Sequence, residues 1–218
     1  MILIKEIKNY SDELGNSIVG QPLSSTGSFI QFKGRNCRVE IAEGVRMDNL
    51  SLKLEGENAF FKVGKNSVIK GWYRISHHSQ LIIGNNLWTS NGSTISACEG
   101  TSIEIGDDCM FATANEIRSD HGHPIFCRIT GKRTNKSKSV KIGNHVWLSK
   151  NAVIMPGSTV DDGSIIGYGS IVLGTHIETN CLAVGVPARI VRRDIMWDKV
   201  NIGQTPPYQF NDISDLEN

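Results

Sequence analysis

From residue 142 the chain divides into six hexads: IGNHVW, LSKNAV, IMPGST, VDDGSI, IGYGSI and VLGTHI. The first position is always aliphatic: Ile142, Leu148, Ile154, Val160, Ile166 and Val172. The fifth is usually small, running Val146, Ala152, Ser158, Ser164, Ser170 and then His176. A period of six is neither the 3.6 of an amphipathic helix nor the simple alternation of a half-buried strand. It suits a short strand followed by a tight corner. Three such sides close a triangular coil of about 18 residues, and stacked coils bring like positions into columns. The aliphatic column then fills the interior and the small residues occupy the corners. Glycine is expected to supply backbone conformations that other residues resist.

The same signature recurs upstream as IAEGV from Ile41, VGKNSVI from Val63, IGNNLW from Ile83 and IGDDCMF from Ile105. Successive steps are 22, 20 and 22 residues, but the step from Ile105 to Ile142 is 37. An insertion beginning near Arg118 is therefore expected. The organisation predicted is one all-β solenoid. Residues 1–36 form a cap or irregular first coil, 37–196 the coils with a loop protruding at 118–139, and 197–218 a tail. The segment ARIVRRDIMWDK (188–199) reads as a short C-terminal helix, and the tail as loosely ordered or packed on an outer face.

Composition narrows the function. The chain has 218 residues, with 23 Lys+Arg against 22 Asp+Glu. That balance is a poor basis for tight nucleic-acid binding. No apolar run approaches the length of a membrane helix, so direct membrane insertion is not expected. The apolar start is too short for a signal peptide. Five cysteines form an odd set without a CxxC pair, which argues against a disulfide framework or a cysteine-based zinc site. A cytoplasmic setting follows by default.

The run Ile142–Gly174 followed by VGVPARIVR (Val184–Arg192) resembles the hexapeptide-repeat acyltransferases, and among them the sugar and polysaccharide O-acetyltransferases. The segment from Glu116 through TGKR to Trp147 is most similar to capsular-polysaccharide and polysialic acid O-acetyltransferases, with an additional histidine inside the loop motif. The resemblance implies a left-handed parallel β-helix, acetyl-CoA as co-substrate without a metal, a carbohydrate acceptor that includes anionic polysaccharides, and a homotrimer with sites between protomers.

Acetyl transfer to a hydroxyl needs a base, and imidazole accepts and returns a proton near neutral pH. Against the family pattern I-R-x-S-D-x-H-x-I, Ile117-Arg118 pairs with I-R and His123-Pro124-Ile125 with H-x-I. His123 is thus the preferred base, with His121 as its orienting neighbour or as the base in a shifted alignment. Asp120 is a candidate to orient the imidazole, or a turn residue. Trp147 ends a hexad and points outward, and the resemblance places it at the junction of acceptor and thioester. The plain alternative is packing in a subunit interface. Cofactor-binding positions carried over by the resemblance are Ser149, Lys150, Gly167, Tyr168, Leu173 and Arg189, with Arg192 and Arg193 nearby. For Lys150 and Arg189 the plain alternative is a solvated cation. The basic run Gly131–Lys138, with Lys132 and Arg133, reads either as a solubilising loop or as a lure for an anionic acceptor. Arg118, Trp88 and Asn91 complete the acceptor candidates, packing being an equal reading for Trp88. Cys109 and Cys181 fall at small hexad positions and read as core. No nucleophilic cysteine is evident, which favours direct transfer over an acetyl-enzyme.

Other activities remain open to this architecture. An N-acyltransferase acting on an amino-sugar nucleotide is separated by its acceptor. A γ-type carbonic anhydrase needs three converging histidines, and the spacing of His77, His78, His121, His123, His145 and His176 does not match. A non-catalytic solenoid, serving as a scaffold or glycan-binding module, would retain the repeats without a base.

Overall fold

The computed structural model describes residues 1–200, and the segment 201–218 of the expected tail lies outside the described residues. Every regular element among the described residues is a strand, and the strands form a left-handed β-helix. Three sheets of eight, nine and six strands make its walls. Each coil passes from the nine-stranded sheet to the six-stranded, then to the eight-stranded, and back. The column read from the repeats is a true ladder: Ile41 lies opposite Val63, Val63 opposite Ile83, Ile83 opposite Ile105, and Ile105 directly opposite Ile142. The 37-residue step is therefore one ordinary coil plus an excursion between Arg118 and Val140. All six hexad-leading aliphatics, Ile142 to Val172, are buried in the prism.

The glycine at the second hexad position has a reason other than the one expected. Gly64, Gly84, Gly106 and Gly143 are not in the left-handed region. Instead, a Cβ on Gly84 would sit 2.7 Å from the Gly106 carbonyl carbon, and one on Gly106 2.6 Å from that of Gly143. The next coil passes too close for any side chain. The residue at the third hexad position then ties the coils together: Asn85, Asp107, Asn144 and Asp162 each accept, through Oδ1, a backbone N–H from the coil before. Left-handed backbone falls one or two places later, on Asn66, Asn86, Asp108, His145 and Gly163, mostly residue types that tolerate it. Fifth-position serines satisfy corner groups that would otherwise be buried unpaired. Ser164 Oγ donates to the Glu178 carbonyl and accepts from the Cys181 N–H.

The fifth position departs from small residues at His176, and the structure shows why. Val160 pairs with Ile177, one residue short of a full coil, so His176 turns outward and meets Asp161 at 2.6 Å. The expected C-terminal helix is absent. Ala188–Arg192 is a strand that folds back antiparallel on Leu182–Gly185, and residues 194–200 contain no helix. The last coil exposes a row of backbone N–H and C=O groups, and the β-branched Ile190-Val191 pair supplies a strand to satisfy it. At the other end, Ile2–Ile4 closes antiparallel on Phe29–Phe32. Ser17–Val19 and Phe29–Phe32 already pair in parallel with the coils that follow, so regular coiling begins inside the first 36 residues.

Candidate active site

The excursion leaves the eight-stranded sheet at Arg118 and re-enters the nine-stranded sheet at Val140. Its base is an ionic knot. Asp120 is buried and accepts from Ser96 Oγ at 2.8 Å, Arg118 Nη2 at 2.9 Å and the Gly122 N–H at 2.7 Å. Burial pushes this carboxyl up, but the hydrogen bonds from Arg118, Ser96 and Gly122 outweigh it and hold the group below the usual Asp range. Arg118 also reaches Glu116 at 3.0 Å. Asp120 and Arg118 therefore serve each other, and Asp120 makes no hydrogen bond to either loop imidazole.

Beyond the knot, residues 125–134 form a small hairpin. Phe126 bridges Arg133, the Cys127 N–H donates to the Lys132 carbonyl, and both the N–H and the hydroxyl of Thr134 donate to the Ile125 carbonyl. Gly131, at φ +66, makes the turn that the TGKR stretch requires. Arg133 is not a free cation. It grips Glu99 of the preceding coil with both terminal nitrogens, at 2.6 and 2.9 Å, and Ser137 Oγ adds a third bond to the same carboxylate. Together Arg133 and Ser137 pull Glu99 down to about 2. Lys132, Lys136 and Lys138 remain exposed.

Both loop imidazoles are exposed. His121 lines a cavity of about 330 Å³ with Asn135, Lys136, Lys138, Pro156 and Leu173. His123 does not line it, and its backbone carbonyl accepts from Asn135. Of the expected cofactor residues, Leu173 thus joins the loop at this edge. Ser149, Lys150, Gly167 and Tyr168 stack at the other edge of the eight-stranded sheet, where the Gly169 N–H donates to the Lys150 carbonyl. Tyr168 is 68% exposed. A Cβ on Gly167 would meet Val184 at 2.6 Å, so this glycine is already required by packing. Arg189 and Arg192 stand exposed on the closing hairpin. Asn91 belongs to the same edge as Lys150, where its carbonyl accepts from Ala114.

Trp147 faces outward on the six-stranded sheet, in a column with Trp88, Met110 and Ile165. Trp88 is open to solvent, whereas Trp147 is half-buried: Trp197 lies over it, with ring centroids 5.9 Å apart. The Trp147 Nε1 is buried without a hydrogen-bond partner among the described residues. The strap carrying Trp197 is latched by residues that the repeat pattern passes over. The Trp197 indole stacks on His145 at 4.1 Å, and its N–H donates to the His145 carbonyl. The His145 ring lies between Asp108 Oδ2 at 2.7 Å and the Trp197 carbonyl at 3.0 Å. Lys199 reaches Asp108 and the Asn86 carbonyl. A histidine at a left-handed corner, opposite an aspartate on the previous coil, is the signal that could have disclosed this latch. Among the described residues no group of three or more His, Cys, Asp or Glu is arranged to hold a metal ion, and no helix is long and apolar enough to cross a membrane.

Residues 139–174 match the bacterial transferase hexapeptide family (six repeats). A polysialic acid O-acetyltransferase of Escherichia coli O1:K1 / APEC is 36% identical over 142 residues, covering 65% of this chain and 46% of that protein. The chain thus spans about half the length of that relative. A polysialic acid O-acetyltransferase of Neisseria meningitidis is 31% identical over 193 residues, covering 87% of this chain and 89% of its own. The crystal structure of the polySia specific acetyltransferase NeuO superposes with a TM-score of 0.81 at 35% identity, covering 86% of this chain and 80% of that one. A coil of this construction, interrupted once by a histidine-bearing loop and matched along most of its length, makes this chain a member of the hexapeptide-repeat acetyltransferases.

Proposed function

We propose that the protein transfers the acetyl group of acetyl-CoA to a hydroxyl of a bacterial surface polysaccharide, with an anionic polymer such as polysialic acid as acceptor, in the cytoplasm. The observation that carries this reading is the loop itself. Two solvent-accessible imidazoles stand on a braced excursion, and one of them, His121, lines a cavity with Lys136 and Lys138. In this reading the His123 imidazole takes the hydroxyl proton as the acceptor oxygen attacks the thioester carbonyl. The carbon–sulfur bond then breaks, and the departing thiolate recovers the proton. A positioned base of this kind contributes roughly 10²–10⁴-fold. The lining of the cavity by His121 supports a second assignment, in which His121 is the base.

Coenzyme A would lie along the edge formed by Ser149, Lys150, Gly167 and Tyr168, with Arg189 and Arg192 near its phosphates. Trp147 and the loop histidines occupy different walls of one protomer. The reading therefore takes the enzyme as a homotrimer, in which one protomer's loop approaches the Trp147 wall of its neighbour.

Single alanine variants at His123 and His121, assayed with radiolabelled acetyl-CoA and polysialic acid, test the assignment. His123→Ala is expected to lose at least about 100-fold in kcat while still binding coenzyme A by calorimetry. Wild-type turnover in His123→Ala with loss in His121→Ala moves the role to His121. Wild-type turnover in both removes the imidazole mechanism.

A further inference from the structure

Asn135 is the second thread of the loop, and nothing in the repeat accounts for it. Its side-chain amide faces two groups on the opposite strand. The Nδ2 donates to the His123 carbonyl at 2.8 Å, and the Oδ1 accepts the Ile125 N–H at 2.6 Å. The assignment of oxygen and nitrogen is fixed by the partners, since a backbone N–H can meet only the oxygen and a carbonyl only the NH₂. The residue between the two contacts is Pro124, which has no N–H and a fixed φ. Both peptide planes flanking Pro124 are therefore held, leaving His123 little beyond its own side-chain torsions.

Asn135 is itself anchored. Arg133 Nη2 donates to the Asn135 carbonyl at 3.1 Å while the same guanidinium holds Glu99. Glu99 lies at the corner of a neighbouring coil, beside Cys98, whose N–H donates to Ser119 Oγ. A continuous path thus runs from the prism wall through Glu99, Arg133 and Asn135 to the backbone of His123. Only asparagine completes it. Aspartate keeps the acceptor and loses the donor, alanine has neither, and glutamine is a methylene too long for both contacts.

We infer that Asn135 is a positioning residue that sets the imidazole of His123 for proton transfer, with Arg133 and Glu99 as its brace. This rests on the reading of a loop histidine as the base. A misplacement of about 1 Å at a reacting group can cost on the order of 10²-fold, so release of the His123 backbone acts on turnover and leaves the donor edge, at the opposite side of the eight-stranded sheet, untouched.

Asn135→Ala, Asn135→Asp and His123→Ala are compared in the full-length protein with acetyl-CoA and polysialic acid. Asn135→Ala is expected to lower kcat by about 10- to 100-fold with the KM for acetyl-CoA within twofold of wild type. Asn135→Asp is expected to fall between the two. In nuclear magnetic resonance spectra the His123 ring signals, sharp in the wild type, broaden or split in Asn135→Ala, while signals of the coils stay in place. Wild-type kcat in Asn135→Ala alongside an inactive His123→Ala overturns the inference and leaves the base assignment standing. Wild-type kcat in His123→Ala removes the base assignment instead. Unchanged His123 ring signals in Asn135→Ala overturn the positioning role whatever the kinetics.

Discussion

A methyl group added at Gly106 would press on Asn144 Oδ1 at 2.5 Å and on the Gly143 carbonyl at 2.6 Å, and the second of these is backbone that cannot swing aside. At Gly100 a Cβ meets nothing within 4 Å, and its left-handed φ of +73 is the sole objection. These two glycines separate close approach from conformational freedom. Gly106→Ala is expected to cost about 2 kcal/mol or more, in the range for overpacking a tight site. Gly100→Ala is expected to cost about 1 kcal/mol, the strain of left-handed backbone alone. Urea or thermal melts of the two variants check the order, and equal midpoints would contradict the steric account. The same distinction applies to the serines of the fifth position. They are selected for a hydroxyl that reaches corner carbonyls and N–H groups as well as for small size.

The loop is an element with its own bracing, and its acid stability can be worked out. Glu99 titrates at about 2 in the folded protein against an ordinary 4.5, chiefly because Arg133 and Ser137 hydrogen-bond its charged form. A depressed carboxyl contributes stability that is fully present above its unfolded value and lost as pH falls through the folded one. The brace should therefore hold at pH 4 and release only near pH 2. Cys127 gives the readout, because it alone among the five cysteines is not buried and its thiol is lowered by hydrogen bonds from Thr130 and Ile129. A nitroxide on Cys127 is expected to show the same mobility at pH 7 and pH 4. Glu99→Gln at pH 7 should already show the faster motion. The excursion was legible in the sequence because the hexad columns count residues, and a 37-residue step stands out against neighbours of 20 and 22. Its internal wiring was not. TGKR displays charge, but the partner of Arg133 lies 34 residues earlier, and no local pattern names it. The C-terminal segment misled for a related reason. Its own composition permits a helix, and the demand that overrides it is the open edge of the last coil, a property of the assembled prism.

In the molecule as a whole, the last coil is joined to the middle of the prism by a short strap. Residues 194–200 cross back from the last coil to the corners of Asn86, Asp108 and His145, and so clasp three successive coils from outside the ladder. Trp197 is the rivet, stacked on His145 and covering Trp147. Trp197→Ala should leave the coils and their circular dichroism unchanged, while the emission of Trp147 shifts to the red and becomes quenchable by acrylamide. An unaltered spectrum would mean that the strap shields Trp147 by some other contact. The Trp147 side chain is thereby set by a segment near the end of the chain as well as by its own strand. Changes beyond Arg193 should be felt at the proposed junction of donor and acceptor.

The pairing of Ile105 with Ile142 means that the prism closes across the excursion as though those residues were not there. Such a scaffold can exchange its histidine-bearing arm as a cassette. Grafts between relatives would need to match just two splice points, one at Arg118 and one at Val140, together with the carboxylate at Glu99 that receives the arm.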